Sequence, residues 1–483
     1  MNNSGGCAAE GGKETSGWVV DEAACTFNDD RLDRRFVTLL EQLTEGVGKT
    51  IPFSCQDWAN TKAAYRFLSN PKVDEAQILS GHFDCTRERF LKTTGLVLVL
   101  HDTTTFSYQR DDVDAIGITH QVDAGPRKAD GRRGKHTVCG ILMHSSLVVT
   151  LEGLPLGIAA TKFWTRKQFK GTNALRGKIN ATRVPIESKE SQRWLDNLTQ
   201  SSALLQVPQR CVHVGDRESD IYELFCAAQK AGSHFLVRTC VDRLAEDGTQ
   251  TIADLIESSP CRAVHRIERR NHHGKVESAT LELRFRRIHI KPPLAKQKRY
   301  PELDVTVIHA TERGSPKGRP RIEWKLMTDL PVRSRAEAVE KLDWYAMRWK
   351  VETFHKILKS GCKAEDSKLR TAQRLTNLIA MFCLLSWRIF WLTMINRSAP
   401  NSTPGIAFTD TELQILDAVT QTTTIRGRKR RTLGDYLICL ARLGGYLNRA
   451  NDGPPGNTVI WRGMSRLADI TLGVRLADSL VGN

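Results

Sequence analysis

With 483 residues, 40% of them apolar, the chain is long enough for several domains with cores of their own, which excludes a disordered or low-complexity protein. A formal net charge of +17 and a pI near 9.4 favour a polyanionic partner, nucleic acid ahead of a membrane surface. The twelve cysteines are scattered without a C-x-x-C pair, so reduced thiols in a cytosolic protein are expected, not a zinc ribbon or disulfide frame. The first residues lack the basic, apolar and small-residue order of a signal peptide, which agrees with a cytoplasmic location.

In chain order, residues 1–17 are Gly-, Ser- and Ala-rich and are predicted to be disordered. Residues 18–92 read as helices: DDRLDRRFVTLLEQL, DWANTKAAYRFLSN and VDEAQILSGHFDCTRERFL. In the second of these, Trp58, Ala64, Tyr65 and Leu68 are expected to face a core, leaving Asn60, Lys62 and Arg66 outside. Basic outer positions on a small helical unit suit a DNA duplex; a plain helical cap is the alternative.

Residues 93–240 change character. GLVLVLHD predicts a buried strand ending at Asp102, followed by a charged loop from Arg110 to Lys135 and then two strands joined by a turn. The helix SQRWLDNLTQ, the strand CVHVGD ending at Asp216, the helix ESDIYELFCAAQKAG and the strand HFLVRTC come next. Residues 241–321 form a β-rich basic insertion, broken by KPPLAKQKRYP and RGSPKGRPR. Residues 322–397 return with the strand IEWKLMTDL, the helix YAMRWKVETFHKILK and the apolar run Leu375 to Ile395. Asn377 and Arg388 within that run predict a buried helix instead of a membrane span. Residues 398–483 hold a SAPNSTPG linker and a helical tail containing RGRKRR at Arg426 to Arg431.

On one continuous helix at about 100° per residue, Tyr345, Arg348, Glu352 and Lys359 share an arc of roughly 60°. Trp344, Met347, Val351, Phe354 and Leu358 form the adjoining apolar stripe. A solvated charged face would look the same, so the edge needs partners elsewhere. Asp102 and Asp216, each at a strand end, are singly no more than turn or cap residues. Brought together with Glu352 they would repel one another unless cations sat among them. Hard oxygen ligands suit Mg²⁺, and two such ions about 4 Å apart can drive an in-line phosphoryl transfer.

HDTT at His101 to Thr104, GDRESD at Gly215 to Asp220, and the Tyr-x2-Arg-x3-Glu-x6-Lys spacing resemble the DDE transposases of the insertion-sequence-four family, of the transposon-five type. WANTKAAYRFLSNP and ARLGG at Ala441 to Gly445 extend the likeness over roughly residues 18–470. The resemblance implies a multidomain α/β protein. Its ribonuclease-H-like core, a mixed five-stranded sheet with helices in 93–240 and 322–397, would be interrupted by the insertion. A helical DNA-end-binding domain (18–92) would precede it and a helical dimerisation domain (398–483) follow. Asp102, Asp216 and Glu352 would be the catalytic and metal-binding triad for two Mg²⁺ ions, with Mn²⁺ able to substitute. Tyr345, Arg348, Lys359, Lys356 and Arg238 would grip DNA phosphates, and Trp324 would stack on a flipped base. Partners would be the transposon's terminal inverted repeats and target DNA, bound by a homodimer in a nucleoid-associated complex and not at a membrane.

The implied reaction is cut-and-paste transposition: nicking, hairpin formation and opening, then strand transfer. An inactive end-binding relative or transposition inhibitor, and a nuclease or resolvase of the same fold, are the competing readings. Lys135 and His136 stand where some family members carry two tryptophans, so that local contact is expected to differ.

Overall fold

The computed structural model describes residues 17–24, 27–110, 112–127, 133–166, 184–270, 276–316, 318–419 and 431–481. The disorder expected for 1–17 lies outside these residues but for Gly17, and the RGRKRR cluster lies outside them but for Arg431. Two compact units form, one from residues up to His82 together with those from Asn377 on, the other from Phe83–Thr376.

After a short α1 (Gly17–Glu22), polar caps start the N-terminal helices. Asp29, Thr50 and Asp57 accept backbone amides at the heads of α2 (Asp30–Glu45), α3 (Ile51–Cys55) and α4 (Trp58–Leu68); α5 (Glu75–Leu91) follows. Phe27, Phe36 and Phe67 pack with ring centroids 5.4 to 6.0 Å apart. Burying Phe67 sets the rotation of α4. Its inner arc is Thr61, Ala64, Phe67 and Leu68, while Trp58 is 77% and Tyr65 37% exposed. The expectation that Trp58 and Tyr65 face the core is therefore corrected: on the helix they lie beside Lys62, not beside Phe67.

In the second unit, a long strand carries the first aspartate. β1 (Val97–Tyr108) runs six residues beyond Asp102, because β3 (Arg133–Thr150) pairs with its whole length, from Val97↔Thr150 to Tyr108↔Cys139. The predicted end at Asp102 and the predicted loop Arg110 to Lys135 are both revised, since β2 (Ile118–Arg127) pairs with the start of β3. β4 (Pro155–Trp164) lies antiparallel on β3. β5 (Cys211–Gly215) and β6 (His234–Arg238) then add in parallel beside β1. The mixed arrangement β4–β3–β1–β5–β6 results, with α6 (Gln192–Leu205) and α7 (Tyr222–Ala231) joining its later strands.

The insertion does not stand apart from this sheet. β7 (Leu244–Ala245), β8 (Gln250–Thr251), α8 (Ile252–Glu257), β9 (Ala263–Arg270), β10 (Val276–Ile290), β11 (Leu303–Glu312) and β12 (Glu323–Thr328) extend it to twelve strands among the described residues. The joint is antiparallel: Arg238, Val237 and Leu236 of β6 pair with Leu326, Met327 and Thr328 of β12. One apolar core, including Trp194, Phe225, Phe235, Ile288 and Val305, runs from α6 and α7 across β6 to β10 and β11. α9 (Arg335–Ala346) and α10 (Trp349–Lys356) close the unit.

The long apolar helix α11 (Ala372–Ser398) is long and apolar enough to cross a membrane, but 94% of its apolar window is buried within the protein. Its polar residues have internal roles. Asn377 donates to the carbonyls of Leu68 and Val73 at 3.1 Å, Trp387 donates to Glu22 at 3.0 Å, and Arg388 donates to the carbonyl of Ala407. α12 (Asp410–Val419), α13 (Leu433–Leu443) and α14 (Asn457–Val481) complete this unit. The ARLGG motif acts in packing here: a Cβ on Gly444 would lie 1.8 Å from the Val459 carbonyl oxygen, and one on Gly463 2.0 Å from that of Leu440. Only glycine lets α13 and α14 approach so closely.

Asp220, buried, links the core to the strand exits. Its carboxylate accepts from Thr239 Oγ1 (2.8 Å) and from the amides of Cys240 and Val241 (both 2.7 Å), and it pairs with the buried Arg243 at 2.6 Å. Removing one member of a buried pair typically costs about 3–5 kcal/mol. Asp220→Ala is expected to lose an amount of that order, read from the urea unfolding midpoint. Arg243→Met should lose less, because Asp220 keeps three hydrogen-bond donors.

Candidate active site

Parallel pairing levels the two aspartates. Leu100 of β1 is opposite Val214 of β5, so Asp102 and Asp216, two residues further along each strand, lie at the same height. β1 continues through Asp102, whereas β5 stops at Gly215 and Asp216 caps the short helix Arg217–Ser219, accepting from the Glu218 amide at 2.9 Å. Glu352 comes from α10, which packs on β1 and β3 through the buried Val351 and Phe354.

The stretch Tyr345 to Lys359 is not one continuous α-helix, as expected from its periodicity. α9 ends at Ala346, and Met347 and Arg348 form a tightened turn in which the amides of Arg348 and Val351 bond three residues back, at 3.0 and 3.1 Å. At three residues per turn, positions i and i+3 eclipse, which brings Tyr345 and Arg348 onto one edge. Beyond Lys356 the winding loosens into a π-helix, Ile357–Gly361, so Lys359 leaves the regular α-helical arc. Its ammonium lies 5.8 Å from the Phe106 ring centroid on β1. The apolar stripe behaves as predicted, with Trp344, Val351, Phe354 and Leu358 buried.

Arg348 is the hub. Its guanidinium lies 3.4 Å from Asp102 and forms an ion pair with Glu352. Burial opposes its charge, but Asp102, Glu352, Tyr345 and Asp216 together outweigh that penalty and raise its pKa above the usual value. Two of the three carboxylates, Asp102 and Glu352, thus pair with one cation. Their hard oxygens match the donor chemistry of Mg²⁺. Among the described residues, however, no three acidic, His or Cys side chains are close enough to enclose an ion, and Arg348 supplies the counter-charge.

A basic cleft of about 320 Å³ adjoins Asp216, lined in part by Arg217, Arg238, Cys240, Glu323 and Lys325. Arg238 donates to the Glu323 carbonyl at 3.0 Å, beside Trp324 on β12. Trp324 meets the buried Tyr345 edge to face, centroids 5.8 Å apart. Burial raises the pKa of the Tyr345 phenol against the opposing pull of Arg348 and Arg238. Arg238, Trp324, Tyr345, Arg348 and the carboxylates are therefore neighbours, while Lys356 points to solvent. In the other unit, Lys62 and Arg66 are exposed on α4. Asn60 is engaged internally, accepting from Arg35 at 3.0 Å and donating to Asp57 at 2.6 Å.

Two family models match the chain. One described as "Transposase DNA-binding" matches residues 15–73 and one described as "Transposase Tn5 dimerisation domain" matches 384–482. At both ends the chain is similar to Tn5-type transposases. It carries a DNA-binding domain and a dimerisation domain of that family, and the carboxylates lie in the stretch between them.

Two residues near the carboxylates escaped sequence reasoning. His355 is buried between the sheet and Asp102, with Nε2 2.8 Å from Ser145 Oγ and Nδ1 3.6 Å from Asp102. Its place three residues after Glu352, on the same helical edge, was the available signal. Arg193 of α6 donates to Thr103 Oγ1 at 3.1 Å, pairs with Glu218 and also feels Asp216. Nothing in SQRWLDNLTQ marks it, since an arginine beside a core tryptophan reads as surface.

Behind the aspartates lies a buried polar network. His101 bonds His213 and Ser146, both at 2.9 Å, and Asn197 donates to Ser146 at 2.9 Å, while Thr103 and His144 bond at 2.9 Å. Burial pushes the pKa values of His101 and His144 well down, and that of His213 down to about 3. A histidine whose folded pKa is depressed gains no proton on acidification, while the unfolded chain does. The stability that neutral His213 contributes is therefore full above about 6.5 and falls as pH drops towards 3, by up to about 1.4 kcal/mol per pH unit, and His101 and His144 act in the same direction. Chemical unfolding of the transposase at pH 7.5 and pH 5 should show this loss, and His213→Gln should be less stable at neutral pH but have a shallower dependence.

Proposed function

We propose that this chain is a DDE transposase that excises and inserts DNA by metal-dependent phosphoryl transfer, with Asp102, Asp216 and Glu352 as its catalytic carboxylates. The observation that carries this reading is the pairing of Arg348 with both Asp102 and Glu352, while Asp216 lies level with Asp102 just past the end of the neighbouring parallel strand. The strand order β4–β3–β1–β5–β6, with its last three strands parallel, supports a ribonuclease-H-like core.

The three carboxylates would hold Mg²⁺, or Mn²⁺ in its place; bound as a pair, such ions activate the attacking hydroxyl and stabilise the leaving oxygen of an in-line displacement. The chain's own side chains bind and orient the DNA. Arg348 exchanges its carboxylate partners for a phosphate of the entering end, for which a planar guanidinium is well matched. Arg238 and Tyr345 hold neighbouring phosphates, and Lys356 and Lys359 extend the basic track. Trp324, braced by Tyr345, offers its face to an extruded base, a contact stabilising by about 1–3 kcal/mol. The same site serves nicking, hairpin formation and opening, and strand transfer, and two copies joined through the C-terminal domain bring two ends together.

The ion pairs of Arg348 favour one alternative, an end-binding relative without chemistry, because they leave Asp102 and Glu352 already neutralised. With Mg²⁺ and DNA bearing its own terminal repeats, the wild type should make hairpins or double-strand breaks. Glu352→Gln, Asp102→Asn and Asp216→Asn should bind ends within about two-fold of wild type yet cut at least about a thousand-fold more slowly, a loss of roughly 4 kcal/mol of transition-state stabilisation. Cleavage by Glu352→Gln at the wild-type rate would sink the assignment, and a wild type that binds its ends without cutting them would establish the alternative.

A further inference from the structure

Pairing between the two aspartate strands stops short of the aspartates themselves. The last parallel pair of β1 and β5 is Leu100↔Val214, and β5 ends at Gly215, so the ladder does not set the distance between Asp102 and Asp216. Arg193 of α6 reaches across this gap. Its Nε donates to Oγ1 of Thr103, the neighbour of Asp102 on β1, at 3.1 Å. Its Nη2 pairs with the side chain of Glu218, the residue whose amide donates to the Asp216 carboxylate at 2.9 Å. Nη1 donates to the Glu190 carbonyl at 2.9 Å, just before α6. Successive side chains of a strand leave opposite faces, so a group that grips Thr103 approaches β1 from the side away from the Asp102 carboxylate. The guanidinium is also held in place: it is almost fully buried, with the rings of Trp164 on β4 and Trp194 on α6 centred 5.6 and 5.8 Å from it. Burial lowers its pKa, against the opposing pull of Glu218, Glu190 and Asp216.

We propose that Arg193 is a positioning residue, a cross-tie that takes over where the β1–β5 ladder ends and holds the segments bearing Asp102 and Asp216 at the separation that bound divalent cations require. The proposal rests on the metal-dependent reading above and deepens it. A guanidinium suits the task because its donors leave a rigid plane in fixed directions, so two segments bonded to it are held at a set distance; a lysine ammonium is a point charge on a flexible stem and cannot do this. Arg193 touches neither aspartate's carboxylate through a hydrogen bond. It acts on them through Thr103 and Glu218, as groups that orient metal ligands from behind generally do, with typical effects of about 10–100-fold on metal affinity or activity.

The test uses the full-length chain with DNA bearing its own terminal repeats. Arg193→Lys and Arg193→Met should bind that DNA within about two-fold of the wild type but need about ten-fold more Mg²⁺, or more, for half-maximal cleavage. Mn²⁺ titrated into the complex with pre-cleaved ends, and followed by its electron paramagnetic resonance signal, should bind more weakly by a similar factor, a readout that needs no turnover. Glu218→Ala should shift both quantities in the same direction by less, since Thr103 is still gripped, and should add nothing to Arg193→Met. A purely structural arginine would behave differently: its loss would lower the thermal midpoint and leave the metal dependence of the folded protein where it was. Unchanged Mg²⁺ half-saturation and Mn²⁺ affinity in Arg193→Lys, with a wild type that cuts, overturn the proposal alone. If neither Arg193 variant folds, an unchanged metal dependence in Glu218→Ala overturns it instead. A wild type that neither binds Mn²⁺ nor cuts removes the metal-dependent reading, and the cross-tie with it.

Discussion

Everything at the centre of the second unit depends on one charge balance. Asp102, Asp216 and Glu352 come from three distant parts of the chain, and all act on Arg348. Two unit charges about 4 Å apart at an effective dielectric near 20 interact by about 4 kcal/mol, comparable with much of a domain's net stability. Arg348 offsets the negative charge of the two carboxylates it pairs with, less strongly at the half-exposed Glu352, where solvent screens the interaction. Arginine suits the task, since its guanidinium stays charged at any physiological pH and offers donors in two directions. The same group that pairs with two of the carboxylates is the one best shaped to receive a phosphate.

The scaffold behind that balance is stiff for a different reason. Asp102 stands in the middle of a twelve-residue strand, with pairing that continues on both sides of it. Under it, His101, His213, Ser146, Asn197, Thr103 and His144 bond one another in place of water. The network fixes these side chains against one another, although His144 Nε2 and Asn197 Oδ1 are buried without a hydrogen-bond partner. The cost is dependence on neutral histidines, which ties the integrity of the site to pH.

Most of this arrangement was legible where the sequence signal is local. The strand CVHVGD and the buried character of the Leu375 to Ile395 helix followed from apolar runs, and both stand in the structure. Where tertiary pairing decides, local signals misled. Nothing in HDTTTFSY says that a strand continues past Asp102, because only the partner β3 makes it continue. Helical periodicity placed Tyr345, Arg348, Glu352 and Lys359 on one edge but could not show the tightened turn at Met347 or the π-helix after Lys356. On α4 the same rule chose the wrong rotation, since Phe67 takes the core side and leaves Trp58 and Tyr65 exposed. His355 and Arg193 act through contacts made across the sheet, so no spacing reveals them fully.

The seam between β6 and β12 has a consequence for how the molecule is made. Three residue pairs, closed across nearly ninety positions of intervening chain, join the parallel strands to the insertion and set Arg238 beside Trp324. Contacts between segments so far apart form late and slowly, since the loop must lose its entropy before the pairing is gained. β6 must wait, with one edge open, until the ribosome has delivered the whole insertion. The cleft beside Asp216 thus cannot exist until β12 has been made, and a copy synthesised only through β6 holds the two aspartates without the wall that would grip a strand.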